Sequence, residues 1–352
     1  MAACLFRRFI PVALLAASLP LLAVEPLNEA LDRARGAANS GDYAGAIKIL
    51  QAEAAKGTLE AMNALGELHL AGKGTKPSAV EAVRWLQQAA DKSYPPAMLN
   101  LANLLAKGAD GVPVDPDKAR FLMRAAAEAG YGPAQFVLGR EAEAASENSG
   151  DYSEARDWYE KSAAQEHPDA LLALARFCDA GRAGVRDSAK AFALSKKAAA
   201  AGSVVAMNEV GVRYQKGLGV EPDASAAIGW FTIASQYGLP AGHVNLGNCF
   251  EVGKGVLQDF VLAGAHYAAA AQQQFGPAQY LLAQLYDQGK GVKASVVYAY
   301  VNYVQAAKNG IEAAGKRRDE IKARLNTAQA QEAEKLLAAG AATPPPEGKD
   351  KP

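Results

Sequence analysis

The sequence has few of the residues that carry catalytic or metal chemistry. Among 352 residues there are three cysteines and four histidines, and no two histidines stand three or four residues apart. The motifs G-x-S-x-G and H-E-x-x-H do not occur, so the usual hydrolase and zinc-protease patterns are missing. We interpret His243 and His266, on the two helices of one repeat described below, as packed histidines. The sequence therefore predicts no enzyme active site, no metal site and no cofactor.

The sequence also has no excess of charge of either sign. Lysine and arginine number 37, and aspartate and glutamate number 37, so the basic surface of a nucleic-acid-binding protein is not expected. Half of the residues are apolar, and they recur three and four positions apart, as in amphipathic helices. β-branched residues are sparse, which further favours helix over sheet. The expected class is all-α, with Cys178 and Cys249 as inert thiols inside separate helices.

The first 23 residues differ from the remainder of the chain. Arg7 and Arg8 precede an apolar run over residues 9–22, and the small residue Ala23 follows. This order is typical of a secretory signal peptide cleaved after Ala23, and it predicts an exported protein, periplasmic or secreted, of a bacterium. An uncleaved anchor is the alternative, although the run is shorter than the roughly 20 residues of a membrane-spanning helix. After cleavage we expect no membrane span.

The abundant alanine and glycine recur at a fixed spacing. The triplet G-K-G at residues 72–74, 253–255 and 289–291 resembles part of a phosphate-binding loop. However, no Gly-Lys-Ser or Gly-Lys-Thr occurs, and such a loop must join a strand to a helix. An alanine opens an apolar run about every 36 residues, which is the period of a two-helix repeat. These alanines are Ala61, Ala97, Ala134, Ala170, Ala206, Ala241 and Ala278.

Each of the seven units is predicted to contain two helices. The first ends at a glycine, because glycine adopts the left-handed conformation of a helix C-cap at little steric cost. Small residues within the first helix, such as Gly66 and Gly211, are expected to let two helix backbones approach closely. The third unit reads REAEAASENSGDYSEA where the others have G-x-G-V, so its helix connection is expected to differ.

The repeated pattern A-x-x-x-L-G-x-L-Y-x-x-G-x-G-V-x-x-D-x-x-x-A-x-x-W-Y-x-x-A-A-x-x-G resembles the Sel-1-like repeat (SLR) family, a relative of tetratricopeptide repeats. Residues 206–238 carry it well as AMNEVGVRYQKGLGVEPDASAAIGWFTIASQYG. The resemblance covers residues 57–310 and implies a right-handed αα-superhelical solenoid that acts as a scaffold without catalytic residues. Some relatives carry a disulfide in every repeat and have suggested enzyme activity. A cell-envelope hydrolase, acting on β-lactams or cell-wall peptides, is therefore the alternative function, although this chain has too few cysteines for that branch.

The remaining segments are predicted to be capping elements and a tail. Residues 24–56 are similar in pattern to one more helix pair, and residues 311–340 are charged and amphipathic, as expected of solenoid ends that face water. Residues 341–352 are rich in proline and polar residues and are expected to be disordered.

The candidate binding site follows from the way two-helix units stack. The first helices of such repeats line a concave face, and positions two and six after each opening alanine, shifted by one residue in the sixth repeat, are expected to point into it. By resemblance, these positions match the ligand-facing helix of tetratricopeptide repeats. Exposed aromatic, leucine and arginine side chains there would be binding hot spots, and amides could pair with an extended peptide backbone. The partner is predicted to be a protein or peptide, in contact with Asn63, Asn103, Phe136, Arg140, Leu172, Arg176, Asn208, Asn248, Tyr280 and Gln284.

Overall fold

The computed structural model describes residues 29–340, with the exception of residues 183 and 185. The predicted signal peptide, residues 1–23, and the predicted tail, residues 341–352, lie outside the described residues. Over the described part of the chain there are eighteen α-helices and no strand, and one isolated bridge joins Ala109 to Val112. The expected all-α class is confirmed.

The chain divides into two compact units, one up to Leu122 and one from Met123. Helix α6, Pro116–Glu128, contains residues of both. The first unit also contains α1 (Glu29–Asn39), α2 (Tyr43–Ala55), α3 (Leu59–Ala71), α4 (Ala79–Ala90) and α5 (Pro95–Lys107). The second contains α7 (Gly132–Ser146), α8 (Ser153–Ala163), α9 (Pro168–Ala180), α10 (Ser188–Ala200), α11 (Val204–Lys216), α12 (Ala224–Gln236), α13 (Pro240–Val252), α14 (Phe260–Gln272), α15 (Gly276–Gln288), α16 (Val296–Lys308), α17 (Glu312–Lys322) and α18 (Thr327–Ala338).

Helices that follow one another in the sequence pack together from α1 to α5 and from α7 to α17, whereas α18 packs against α16. In each repeat the odd-numbered helix, from α3 to α15, is called here the first helix, and the even-numbered helix after it is the second helix. The buried side of each pair is lined by alanine, leucine and aromatic residues; Tyr159, Phe231 and Tyr267 of the second helices are almost fully buried. This burial of apolar surface between paired helices is the main stabilising contribution to such a fold.

Local residue chemistry explains where the helices end. Five first helices end at a glycine in the left-handed region: Gly72, Gly181, Gly217, Gly253 and Gly289. The second helices that follow begin after a serine or aspartate whose side chain accepts a hydrogen bond from a backbone N–H of the first turn. These N-caps are Ser78, Asp187, Asp223, Asp259 and Ser295. The G-K-G triplets are therefore helix-to-helix connections, as predicted.

The third repeat departs from this pattern, also as predicted. Its first helix, α7, is longer than the other first helices and ends at Glu147 in the right-handed helical conformation, without a left-handed glycine. Gly150 has a positive φ of 72° in the connection that follows. The missing G-x-G-V turn therefore lengthens the first helix and delays the turn.

The small residues inside the first helices accommodate side chains of the paired helices as well as close backbone approach. A Cβ placed on Gly211 would lie 2.6 Å from Cε1 of Phe231 on the second helix, and one on Gly66 would lie 2.6 Å from Cγ of Leu86. Each glycine thus makes room for a large side chain of the paired helix, and at Gly211 the backbone oxygen of Ala227 on the paired helix also lies 3.2 Å from where a Cβ would be, in line with the predicted close approach of backbones. The volume removed from one helix is occupied by a ring or a leucine from the other.

The second glycine of the turn connects consecutive repeats. Gly219 has φ of 75°, and a Cβ there would collide with the backbone carbonyl of Ser188, at the start of the preceding second helix. A side chain at this position is excluded both by the positive φ and by this close approach. The turn therefore ends a helix and also packs against the previous repeat.

Charged side chains also join consecutive repeats in the second unit. The carboxylate of Asp179 on α9 accepts hydrogen bonds from the guanidinium of Arg213 on α11, which is almost completely buried. Arg213 also donates to Ser195 Oγ at 3.1 Å and lies 3.2 Å from a carboxylate oxygen of Glu209. In the preceding repeat, Arg182 donates to Oε1 of Glu143 at 2.5 Å. Acidic residues late in the first helices are thus paired with arginines from the next repeat.

Candidate functional site

A depression on the first helices of the second unit brings together four of the predicted contact residues. Its volume is about 380 Å³, and helices α7, α9 and α11 contribute most of its wall. We call it the arginine groove, and it is lined by Phe136, Arg140, Glu143, Tyr159, Asp169, Leu172, Ala173, Arg176 and Val205. Arg140 and Arg176 occupy equivalent positions in consecutive repeats, so the repeat itself places both guanidinium groups at this surface.

The base of the arginine groove is aromatic and apolar. The Phe136 ring stacks on His167 with centroids 5.1 Å apart and lies tilted against Tyr159 at 5.8 Å. Phe136 is half-buried by these contacts. Leu172, which was expected to be exposed, is only 4% exposed because it packs against α10 and α11 residues such as Ala198 and Val210. The prediction of Leu172 as an exposed contact residue is therefore wrong; it supports the base of the groove.

Glu143 and Tyr159 form a closed hydrogen-bonded pair beside the groove. The Tyr159 hydroxyl donates to Oε2 of Glu143 at 2.7 Å, while Oε1 accepts from Arg182. Burial, followed by the bond to Glu143, raises the pKa of Tyr159, and the nearby Arg140 and Arg176 lower it by a smaller amount. The hydroxyl therefore stays protonated at neutral pH, and both oxygens of the Glu143 carboxylate have partners.

The two arginines are left without acidic partners by this arrangement. Both are exposed, and over the described residues neither has a carboxylate within the 4.0 Å of a salt bridge. An acid three residues further along a helix is the natural partner of an arginine. Here those acids are Glu143 and Asp179, and both are bound by arginines of the next repeat. The groove thus presents two uncompensated positive charges above an aromatic base, with Asp169 as its one further acidic residue.

Three of the four predicted asparagines are bonded to side chains of other helices. Asn63 Oδ1 accepts from Asn100 at 2.9 Å, and Asn208 Oδ1 accepts from Asn245 at 2.8 Å. Asn248 Oδ1 accepts from the Tyr267 hydroxyl at 2.7 Å. These carbonyl oxygens connect helices to one another, so their availability for a peptide backbone is smaller than predicted.

The other predicted contact residues do not join the arginine groove. Asn103 is exposed on α5, in the first unit. Tyr280 on α15 is half-buried and makes an edge contact with Tyr303 at 5.7 Å between centroids, so the expectation that it is freely exposed is wrong. Gln284, one turn further along α15, is also half-buried. The structure therefore concentrates the predicted site in the third and fourth repeats.

Sequence reasoning missed several groove residues. Glu143 follows Arg140 by three positions, a helical spacing that identifies it as a neighbour. Asp169 and Val205 come from the first turns of α9 and α11, and only the packing of these helices brings them to the same depression. A larger depression of about 470 Å³ in the first unit was also missed. It lies between α1, α2 and α3, and its lining includes Leu31, Leu50 and Leu68.

The remaining histidines and cysteines form no catalytic or metal cluster in the part of the chain that is described. Nδ1 of His243 lies 3.2 Å from Nδ1 of His266, and Phe250 stacks on His266 at 5.7 Å. Cys178 is half-buried and Cys249 is buried, and both are free thiols. Groups of three or more metal-ligating side chains are absent from residues 29–340 as described. Within the same residues, none of the helices has the length and apolar character required to cross a bilayer.

Seven consecutive segments match the Sel1 repeat model: residues 59–94, 95–131, 133–167, 168–203, 204–238, 240–275 and 276–311. The chain belongs to the Sel1 repeat family. Each segment consists of one first helix and the second helix after it, in the register derived from the opening alanines. Sel1 repeat proteins are generally non-catalytic scaffolds, so the match supports a scaffold-type protein.

Solved structures of other Sel1 repeat proteins share this fold. A protective antigen of uropathogenic Escherichia coli strains, which displays an SLR fold, is 29% identical with a TM-score of 0.70, covering 88% of this chain and 67% of that chain. A Sel1 repeat protein from Oxalobacter formigenes is 26% identical with a TM-score of 0.60, covering 84% of this chain and 92% of that chain. The solenoid class implied by the resemblance is therefore confirmed.

A curated relative matches over a shorter region. Chitin synthase regulatory factor 3 of Schizosaccharomyces pombe is 29% identical over 209 residues, which are 56% of this chain and 22% of the relative. The aligned part is thus less than a quarter of that protein. The similarity concerns the repeats.

Proposed function

We propose that this protein is an exported scaffold that binds a protein or peptide partner through the first helices of its Sel1 repeats. In a solenoid of two-helix repeats these helices line the concave face, which is the usual binding surface of repeat proteins. The observation that carries the proposal is the arginine groove, which combines an aromatic base with two exposed arginines that have no acidic partner. Arginine and aromatic residues dominate the binding energy of protein interfaces.

The chemistry of the groove favours binding over catalysis. Its one buried hydroxyl, that of Tyr159, has a raised pKa and is bonded to Glu143, so it is a poor nucleophile and a poor base. Both oxygens of the Glu143 carboxylate already accept hydrogen bonds, one from Tyr159 and one from Arg182. The exposed arginines can contact a partner without any rearrangement of the helices.

Site-specific photo-crosslinking tests where the partner binds. A photoreactive amino acid replaces exposed Val205, at the edge of the arginine groove, and in a second variant it replaces exposed Lys196 on the second helix α10. We expect a covalent adduct with a defined partner from position 205 and not from position 196, after irradiation in the native compartment. Adducts of equal yield from both positions, or from neither, would contradict binding at the first helices.

A further inference from the structure

We propose that the arginine groove is specific for an acidic segment in extended conformation, with two carboxylates on one side of the segment and an apolar side chain between them. This inference rests on the proposed function and adds the chemistry of the partner. Its basis is the pair of arginines in the third and fourth repeats, Arg140 and Arg176, which form no salt bridge within the described part of the chain.

Most arginines of the second unit already have carboxylate partners. Arg182 and Arg213 bind the acids of the preceding repeat, and Arg317 pairs with Glu320 on its own helix. Arg140 and Arg176 differ because the acids three residues further on are already occupied. Two positive charges at one depression, neither of them in a salt bridge with any other described residue, attract an anionic ligand and repel a cationic one.

The shape of the groove specifies how the charges of a partner are spaced. Arg140 lies on α7 and Arg176 lies on α9, the first helices of adjacent repeats, and neighbouring packed helices lie on the order of 10 Å apart. An extended peptide rises about 3.3 Å per residue and points alternate side chains to the same side. Carboxylates four positions apart are therefore separated by about 13 Å, comparable with the helix separation, and the side chain midway between them points to the same side.

The base of the groove accounts for the apolar residue. Phe136 presents a half-buried ring to the same depression as the two arginines, and Leu172 and Ala173 lie buried beneath the surface. A leucine-sized side chain that faces this base would be removed from water while the flanking carboxylates meet the guanidinium groups. Arginine and carboxylate form paired, charge-assisted hydrogen bonds that set orientation as well as affinity.

Asp169 limits where the acidic segment can lie. Its carboxylate is exposed in the first turn of α9, two helical turns before Arg176. A carboxylate of the partner is repelled near Asp169 and attracted at Arg176. The acidic side chains are therefore expected near the C-terminal halves of α7 and α9, where both arginines lie.

Binding of designed peptides to the purified full chain tests the inference. The probes are fluorescent peptides with two glutamates four positions apart and a leucine midway between them, and matched peptides with two glutamines or two lysines. We expect the glutamate peptides to bind at least about ten-fold more tightly than the glutamine peptides, because the difference is two charge-assisted contacts. Their affinity should also fall as salt is raised.

Charge reversal of the groove supplies the decisive comparison. The double variant Arg140→Glu/Arg176→Glu should lose the glutamate peptides and prefer the lysine peptides. The variant Lys196→Glu/Lys197→Glu changes net charge equally on exposed positions of α10 and should keep wild-type preference. Circular dichroism shows whether the variants fold, and Arg140→Gln/Arg176→Gln, which adds no negative charge, should bind both charged peptides weakly.

The outcomes separate the inference from the proposed function. If a partner crosslinks from position 205 but the glutamate and glutamine peptides bind equally, the acidic specificity is wrong and the scaffold function stands. Glutamate peptides that bind Arg140→Glu/Arg176→Glu as tightly as wild type would also overturn it. If no partner crosslinks from position 205, the proposed function fails independently of the peptide result.

Discussion

Arginines of similar sequence context have opposite roles in this protein, depending on which carboxylates are within reach. The side chain of Arg213 is 1% exposed and is held by Asp179, Glu209 and Ser195. Arg176, three residues before Asp179, is exposed and is left without that acid. The buried arginine contributes to folding, and the exposed arginine is available for binding.

Removing the partner of the buried charge should destabilise the fold. We expect Asp179→Ala to lower the free energy of unfolding by about 2 kcal/mol, because it removes two charge-assisted hydrogen bonds from a buried guanidinium and leaves Glu209 as its carboxylate partner. Urea denaturation followed by circular dichroism measures the change. The control is Glu209→Ala, which removes a half-exposed carboxylate from the same guanidinium and should cost less than about 1 kcal/mol. Equal costs for the two variants would contradict the assigned role of Asp179.

The histidine pair makes stability depend on pH. Burial lowers the pKa values of His243 and His266 from the ordinary value of 6.5, and the charge of His243 lowers that of His266 further. The unfolded chain therefore binds protons that the folded chain does not, so stability is constant above about pH 6.5 and decreases as pH falls below it. The free energy of unfolding at pH 8, 6.5 and 5.5 checks this sign.

A matched substitution assigns the effect to the pair. Gln135 and Gln279 occupy the position corresponding to His243 in the third and seventh repeats and are buried there, so His243→Gln should be tolerated. We expect this variant to lose less stability between pH 6.5 and 5.5 than the wild type, since one titrating group and the contact between two imidazoles are removed. An unchanged pH profile would mean that other titratable groups determine how the free energy of unfolding depends on pH.

At the scale of helices, each repeat depends on a close fit between its two members. Gly211 of α11 lies against the ring of Phe231 on α12, while Gly229 of α12 has no heavy atom within 4 Å of where a Cβ would lie. Both glycines are inside helices. The same substitution is therefore expected to have opposite effects on the two helices.

Alanine substitution of these two glycines tests the helix packing. Gly211→Ala should destabilise the protein by about 1 to 3 kcal/mol, because the added methyl group overlaps a buried ring. Gly229→Ala should stabilise it by up to about 1 kcal/mol, because alanine favours helix and meets no obstacle. Thermal and urea unfolding of both variants give the comparison. Stabilisation by Gly211→Ala would show that the two helices can separate without cost.

The proposed function of the whole molecule includes export from the cytoplasm. The motivating observation is the order of two arginines, an apolar run over residues 9–22 and Ala23. Expressed in full in a bacterial host, the chain should appear outside the cytoplasm with its N-terminus at Val24. Intact mass and N-terminal sequencing of the fractionated protein measure this.

A variant tests whether the apolar run directs export. Leu15→Asp interrupts the apolar run and should leave the full-length chain in the cytoplasm, because the run no longer resembles a signal peptide. A wild-type chain of full length in the membrane fraction would instead support the uncleaved anchor. A wild-type chain of full length in the cytoplasm would contradict export.

The sequence by itself determined the helical class, the seven repeats, the helix ends and the odd third repeat. These features follow from interactions over a few residues, such as the glycine that ends α11 and the aspartate that begins α12. The helix-pair pattern is weak within one repeat, but it is clear over the chain because it appears seven times. Arg140 and Arg176 were also identified from their equivalent positions in consecutive repeats.

Only the tertiary structure decided which of the candidate contact residues are free. Leu172 is buried by α10 and α11, the carbonyl of Asn208 is taken by Asn245, and Arg176 is exposed beside an acid that already has a partner. Each of these outcomes depends on a side chain from another helix, in several cases more than thirty residues away. Helical periodicity places a residue on a face, but the partner that it meets there is set by how the helices pack.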